Sequence, residues 1–183
     1  MGREYGEYLR RGATIAGVVI DAPGQNAAMA EKLALPFPIL SDPEGGEATK
    51  PYGVWDEAGR MAKPAIVVVA PDGAEAYRYV GADFMDRPGD DEVLAALDAL
   101  GLPAIGSPVG PVAHLPPEPG PRATKLADLG PYMRGVRFAM QAMAGRARDP
   151  WDRAEAERTM RMAEGFLAAQ GATTRATGGW VAS

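Results

Sequence analysis

Apolar positions along this chain gather in short runs and helical stripes, most clearly from Lys63 to Gly81, KPAIVVVAPDGAEAYRYVG. Five successive apolar residues, Ala65 to Val69, are too few for a helix and rich in Val and Ile, which predicts a strand buried on both faces. Pro71-Asp72-Gly73 supplies a turn: Pro presets φ, Asp bonds its own backbone and Gly accepts positive φ. Ala76, Tyr77, Arg78, Tyr79 and Val80 then alternate as a strand with one solvated side. Upstream, Tyr5, Tyr8 and Leu9 lie at helical spacing within Glu4 to Arg11, and Gly12 can end that helix. Ala13 to Ile20 predicts a further buried strand, and Gln25 to Leu35 a helix with Ala27, Ala30, Leu33 and Ala34 on one face. Pro36 ends that helix, and Pro38-Ile39-Leu40 is a short extended piece. Asp42 is expected to cap a helix with Pro43 at its first position and Glu44 near its positive end, running to about Lys50 before Pro51-Tyr52-Gly53 breaks it. A turn is expected at Asp56-Glu57-Ala58-Gly59. Asp90 is expected to cap a helix from Asp91 to Leu100, with Val93, Leu94, Ala96, Leu97 and Leu100 in one stripe and Gly101 closing it.

Beyond residue 100 the pattern changes. Gly101 to Pro121 holds seven prolines and four glycines in 21 residues, a composition that favours extended, semi-rigid chain. A helical pair follows. Tyr132, Val136, Met140 and Met143 share a face of the first helix; Asp149-Pro150 caps the second, in which Trp151, Ala154, Met162, Phe166 and Leu167 are expected to bury. Two helices cannot cover those residues alone, so packing on the preceding domain or on another chain is expected. The organisation read from the sequence is a compact domain over 1–100, a linker over 101–129, a helical hairpin over 130–171 and a disordered tail over 172–183, without internal repeats.

Composition narrows the chemistry. The 183 residues contain no cysteine, which excludes disulfides, thiolate metal sites and thiol catalysis by this chain. The net charge of −5 divides into −8 over residues 1–100 and +3 over the rest. A charge of +3 spread over so long a stretch is far from the dense basic patch that nucleic acid demands, so docking on the chain's own acidic domain or on a second copy is expected instead. No run approaches the roughly 18 apolar residues needed to span a bilayer, and the first residues open no apolar signal segment; a cytoplasmic protein is expected, with no membrane partner.

The wording GVVIDAPGQNAAMAEKLALPFPILSDPEG, then YGVWDEAG, KPAIVVVAPDG, YRYVG and DEVLAAL resembles the peroxiredoxin family, specifically its alkyl hydroperoxide reductase and thiol-specific antioxidant branch, over about residues 3–100. The resemblance implies an α/β fold: an incomplete thioredoxin-like domain, a three-layer α/β/α arrangement, here carrying a C-terminal helical extension. It also implies a thiolate at a helix N-terminus that attacks peroxide. In the family that cysteine begins the helix whose end corresponds to Glu4–Arg11, so the catalytic part and the strands before it are expected to be missing and the domain to be N-terminally truncated. Two positions of the active-site wall match: Pro64, which relatives often keep in cis facing the cysteine, and Lys63, where many relatives carry Arg. Lys keeps the charge without the bidentate fork, and with no thiolate to serve, both read equally as a strand start and a solvated lysine. The missing strand is central in the thioredoxin fold, between the strands corresponding to Ala13–Ile20 and Ala65–Val69, so two apolar edges should be left unpaired. Three outcomes stay open: the natural protein continues upstream, the two strands pair directly, or a second chain covers them.

Other candidates carry less. His114 is the only histidine and has no carboxylate cluster near it in sequence. Asp86, Asp90, Asp91 and Glu92 read as an acidic helix start. Glu44-Gly45-Gly46-Glu47 has neither the spacing nor the lysine of a phosphate loop. Met133, Met140, Met143, Met160 and Met162 suit tail packing or an adaptable partner groove. No catalytic residue, metal site or cofactor is expected. The function expected is that of a peroxiredoxin-like protein not competent for thiol peroxidase chemistry as given. The alternatives are the C-terminal portion of a true thiol-dependent peroxidase and a non-catalytic partner-binding module. A homodimer or a protein partner would engage the exposed sheet edge and the Met-rich C-terminal helices.

Overall fold

In the computed structural model, residues 2–106, 115–121 and 123–177 are described. The chain forms two units, one from Met1–Glu31 with Leu35–Pro119 and one from Lys32–Ala34 with Gly120–Ser183.

The first unit opens with a short 3-10 turn and helix α1 (Tyr5–Arg10), followed by strand β1 (Gly17–Val19), helix α2 (Pro23–Leu33) and strand β2 (Ile39–Ser41). β1 and β2 are parallel, with Val18 opposite Leu40, so β1-α2-β2 is a crossover unit. Two small strands, β3 (Trp55–Asp56) and β4 (Met61–Ala62), pair across the expected Asp56–Gly59 turn. The predicted hairpin then forms: β5 (Ala65–Val69) runs antiparallel to β6 (Glu75–Val80), with a bulge between Val68 and Val69. Its turn is made as the residue types require. Gly73 takes φ +86, the Asp72 carboxylate accepts from the Ala74 N–H at 2.9 Å, and the Ala70 N–H donates to the Ala74 carbonyl at 2.8 Å. Helix α3 (Asp90–Leu100) closes the unit, and Gly101 ends it with φ +61.

The core lies between this hairpin and the two helices. Tyr5 and Tyr8 of α1, Val68 of β5, and Val93 and Leu97 of α3 are buried together, with Ile15, Phe37, Ile66 and Tyr77 packed against them. Each such aliphatic side chain contributes about 1.5–3 kcal/mol by leaving water. Polar links surround this core: the Tyr8 hydroxyl donates to Asp90 at 3.2 Å, and Arg11 bridges Glu7 at 2.9 Å and Asp98 at 2.7 Å. The first unit is α/β: helix, strand, helix, strand, a small strand pair, the β5–β6 hairpin and a closing helix.

Several expectations need correction. Only Gly17–Val19 of the predicted 13–20 strand is laddered. The Ala13 N–H is used at 3.0 Å by the Tyr8 carbonyl at the end of α1, and Thr14 holds the Tyr5 hydroxyl at 3.0 Å. β5 is not buried on both faces: Ile66 and Val68 enter the core, Ala65 and Val67 on the other face are half-buried and Val69 remains 45% exposed. In place of one sheet there are, among the described residues, three two-stranded pieces, in which β1 pairs with β2 alone and β5 with β6 alone. The direct pairing of β1 with β5, one of the three outcomes left open, does not occur. Residues 43–53 form successive turns and no helix. Gly45 sits at φ +70, and a Cβ there would come within 2.4 Å of the Trp55 ring, so the chain bends left-handed where a helix would have continued. Asp90 lies inside α3, whose N-cap is Gly89.

In the second unit, α4 (Leu126–Arg146) and α5 (Pro150–Ala176) form an antiparallel-type hairpin across a three-residue connection, Ala147 to Asp149. α4 starts four residues before the expected hairpin boundary and runs through Pro131, which costs one backbone bond near the first turns. α5 continues five residues into the expected tail; residues 178–183 of that tail lie outside the described residues. Asp149 caps α5 as expected, accepting from the Trp151 N–H at 2.7 Å and the Asp152 N–H at 3.4 Å, with Pro150 opening the helix. The buried residues differ from those expected. Ala156, Ala163, Ala172, Leu126, Gly130 and Met133 are buried, whereas Trp151 is 72% and Tyr132 57% exposed. Small residues at the contact let two helices approach closely, which turns the bulky neighbours outward.

Candidate functional site

Lys63 and Pro64, the two positions singled out, sit at the junction of β4 and β5. Backbone groups hold both: the Lys63 N–H donates to the Val54 carbonyl at 2.7 Å, and the Pro64 carbonyl accepts from the Gly81 N–H at 2.7 Å. The Lys63 side chain is exposed and Pro64 is half-buried. The peptide bond joining them is trans. Gly81 is required where it meets this junction's loop, because a Cβ would strike the Asp86 carbonyl oxygen at 2.4 Å.

The groups most strongly organised by the fold lie elsewhere. Asp42, 2% exposed, follows β2 and extends the parallel ladder through its own N–H to the Val19 carbonyl at 2.8 Å. Its carboxylate accepts from the N–H groups of Glu47, Ala48 and Thr49 at 3.1, 3.0 and 2.9 Å, and from the Thr49 hydroxyl at 2.9 Å. These donors, the Thr49 N–H foremost, hold its pKa well below the ordinary carboxylate range against the opposing effect of burial. Beside it, the buried Asn26 at the start of α2 donates to the Ser41 hydroxyl at 2.9 Å and to the Asp21 carbonyl at 3.3 Å. One polar cluster therefore stands at the carboxyl ends of β1 and β2. A second centres on Asp86, which accepts from the Tyr79 hydroxyl at 2.5 Å and the Ala82 N–H at 2.8 Å and so closes the loop between β6 and α3.

Their chemistry is structural. General acid–base catalysis works best with a pKa near the operating pH, whereas Asp42 is driven the other way and both of its carboxylate oxygens already accept hydrogen bonds. The sequence pattern predicts a helix cap at Asp42 and an acidic helix start that includes Asp86. The residue type of Asp42 was the right signal, but its donors come five to seven residues later, beyond a first helical turn. For Asp86 the only hint was a Tyr and a Gly at the preceding strand end. Among the described residues no group of three His, Cys, Asp or Glu could hold a metal ion, and His114 lies outside them. Among the described residues no helix is long and apolar enough to cross a membrane.

Residues 1–77 match the model of the AhpC/TSA family, a span that ends within β6. No curated protein matches the chain. Among solved structures, Mycobacterium tuberculosis AhpC is 33% identical, with 50% of this chain and 52% of that one covered and a TM-score of 0.44. The chain spans about half the length of that protein.

Proposed function

We propose, from the premise that this chain is peroxiredoxin-like, of the AhpC/TSA family over residues 1–77, that it works as a redoxin-family binding unit and does not itself reduce peroxides. The observation that carries this is the absence of cysteine from all 183 residues. Thiol peroxidase turnover begins with thiolate attack on the peroxide O–O bond. A methionine thioether also reacts with peroxide, but its sulfoxide returns only through a separate reductase, so the nine methionines cannot sustain turnover unaided. Lys63 and Pro64 then serve as a surface lysine and a strand start. The one-sided strands β1 and β5 support binding by main-chain pairing, the use to which an open strand edge lends itself. The partner is a protein, either a second copy or another chain.

The test is peroxide consumption by the purified chain, with hydrogen peroxide and an organic hydroperoxide, in the presence of a dithiol reductant. Decay at the rate of buffer alone is expected; repeated turnover would overturn the proposal.

The same one-sided strands favour a second reading. These residues would then be part of a thiol-dependent peroxidase whose thiol and additional strand lie in a segment outside this sequence. Intact mass and thiol titration of the protein from its own host separate the two, since a reactive thiol on a heavier chain supports only the second.

A further inference from the structure

Most of the large exposed apolar residues of the helical hairpin lie on one flank, Phe138 being the exception. Taking about 100° per residue from Met133 and Ala163, where the helices bury their contact, Val136 and Met143 of α4 fall on the same side of the hairpin as Trp151, Met162 and Phe166 of α5. Met143 is 56% and Trp151 72% exposed. At the connection end this flank opens into a groove of about 470 Å³ whose apolar walls are Met140, Met143, Ala147, Trp151 and Ala156. Its charged rim is mixed: Arg146 comes from α4, Asp152 and Glu155 from α5.

We propose that this flank is where two copies of the chain join, hairpin against hairpin, as a four-helix bundle with two-fold symmetry. In such an interface each residue that meets another is met by it in return, so a surface must be complementary to itself. This one is. Arg146 of each copy faces the acidic Asp152 and Glu155 of the other, whereas a rim of one sign would repel its own copy. Trp151 stands at the mouth of an apolar groove and can enter the same groove of the second copy, the kind of buried aromatic anchor that dominates association energy. The size also fits. Helices of 21 and 27 residues present a face at least roughly 31 Å long at ~1.5 Å per residue and about 20 Å across. That is about 600 Å², close to the ~800 Å² per partner of a standard interface. The inference stands apart from the reading of the N-terminal unit and survives if that reading fails.

Sedimentation equilibrium of the full chain over a hundredfold concentration range tests it. The expected result is a species of twice the 19.2 kDa chain mass. Trp151→Glu and Met143→Glu each raise the dimer dissociation constant about 100-fold or more, with helicity by circular dichroism unchanged because both side chains are exposed. Arg146→Glu weakens the dimer, and Arg146→Glu combined with Asp152→Lys restores it, a rescue that a role in folding would not produce. A monomer at every concentration would overturn the proposal. So would a dimer unchanged by both glutamate variants, since its interface would then lie elsewhere on the chain.

Discussion

The N-terminal unit and the helical hairpin bury apolar surface with different mixtures of residue types. In the first, the large residues are the core: Tyr5, Tyr8, Val68, Val93 and Leu97 meet from elements more than ninety positions apart. In the second, the close contact belongs to Ala156, Ala163, Ala172 and Gly130 together with Leu126 and Met133, while Tyr132, Phe138, Met143 and Trp151 are exposed. A bulky apolar residue therefore means something different in each. In the N-terminal unit such residues build the buried cluster, whereas in the hairpin more of them are exposed than fully buried.

Replacing a large core residue should produce the biggest change. Leu97→Ala, at a side chain 3% exposed, is expected to cost about 2–5 kcal/mol, read as a lower urea midpoint. Asp42→Asn should come next, because four donors lose the charge they converge on. Since the folded pKa of Asp42 is depressed, its contribution is present above the ordinary carboxylate value of ~3.9 and is lost as pH falls through the lower folded value. The gap in Tm between wild type and Asp42→Asn should accordingly narrow below about pH 4; a gap that widens on acidification would contradict the assignment.

A paired test separates the two burial schemes within the hairpin. Ala163→Leu, at a residue 0% exposed, should cost about 1–3 kcal/mol by overpacking. Phe138→Ala, at a residue 56% exposed, should stay within about 0.5 kcal/mol. Equal costs at the two sites would break the comparison. Loss of the α5 cap should fall between these two: Asp149→Ala is expected to cost about 1 kcal/mol, measured by thermal unfolding at 222 nm, a wavelength that reports helix.

Local signals were the legible ones. The β5–β6 hairpin, the Gly101 stop and the Asp149-Pro150 cap each depend on residues within a few positions of one another, and each formed. What needed distant partners was misread. The five-residue run Ala65–Val69 looks the same whether one or both faces are covered, and the stripe in α4 does not reveal that alanines of α5 take the contact. The helix expected at 43–50 failed because Gly45 turns left-handed beneath Trp55, a residue ten positions on. Of the candidate site, Lys63 and Pro64 were visible only through family resemblance, since nothing in their local composition distinguishes them from an ordinary strand start. The carboxylates that the fold does organise, Asp42 and Asp86, were seen as residues but assigned the wrong partners, because their donors sit in turns whose course the sequence pattern does not show.

Amide hydrogen exchange of the isolated chain, resolved over peptides covering β1 and β5, reaches the open strand edges on which the proposed binding function rests. A strand laddered on one side alternates bonded and free amides in an antiparallel pair. About half of the β5 amides should therefore exchange at the rate of exposed loops, with β6 behaving alike. Slow exchange at every amide of β5 would mean that both of its edges are bonded, leaving no open edge for a partner to take.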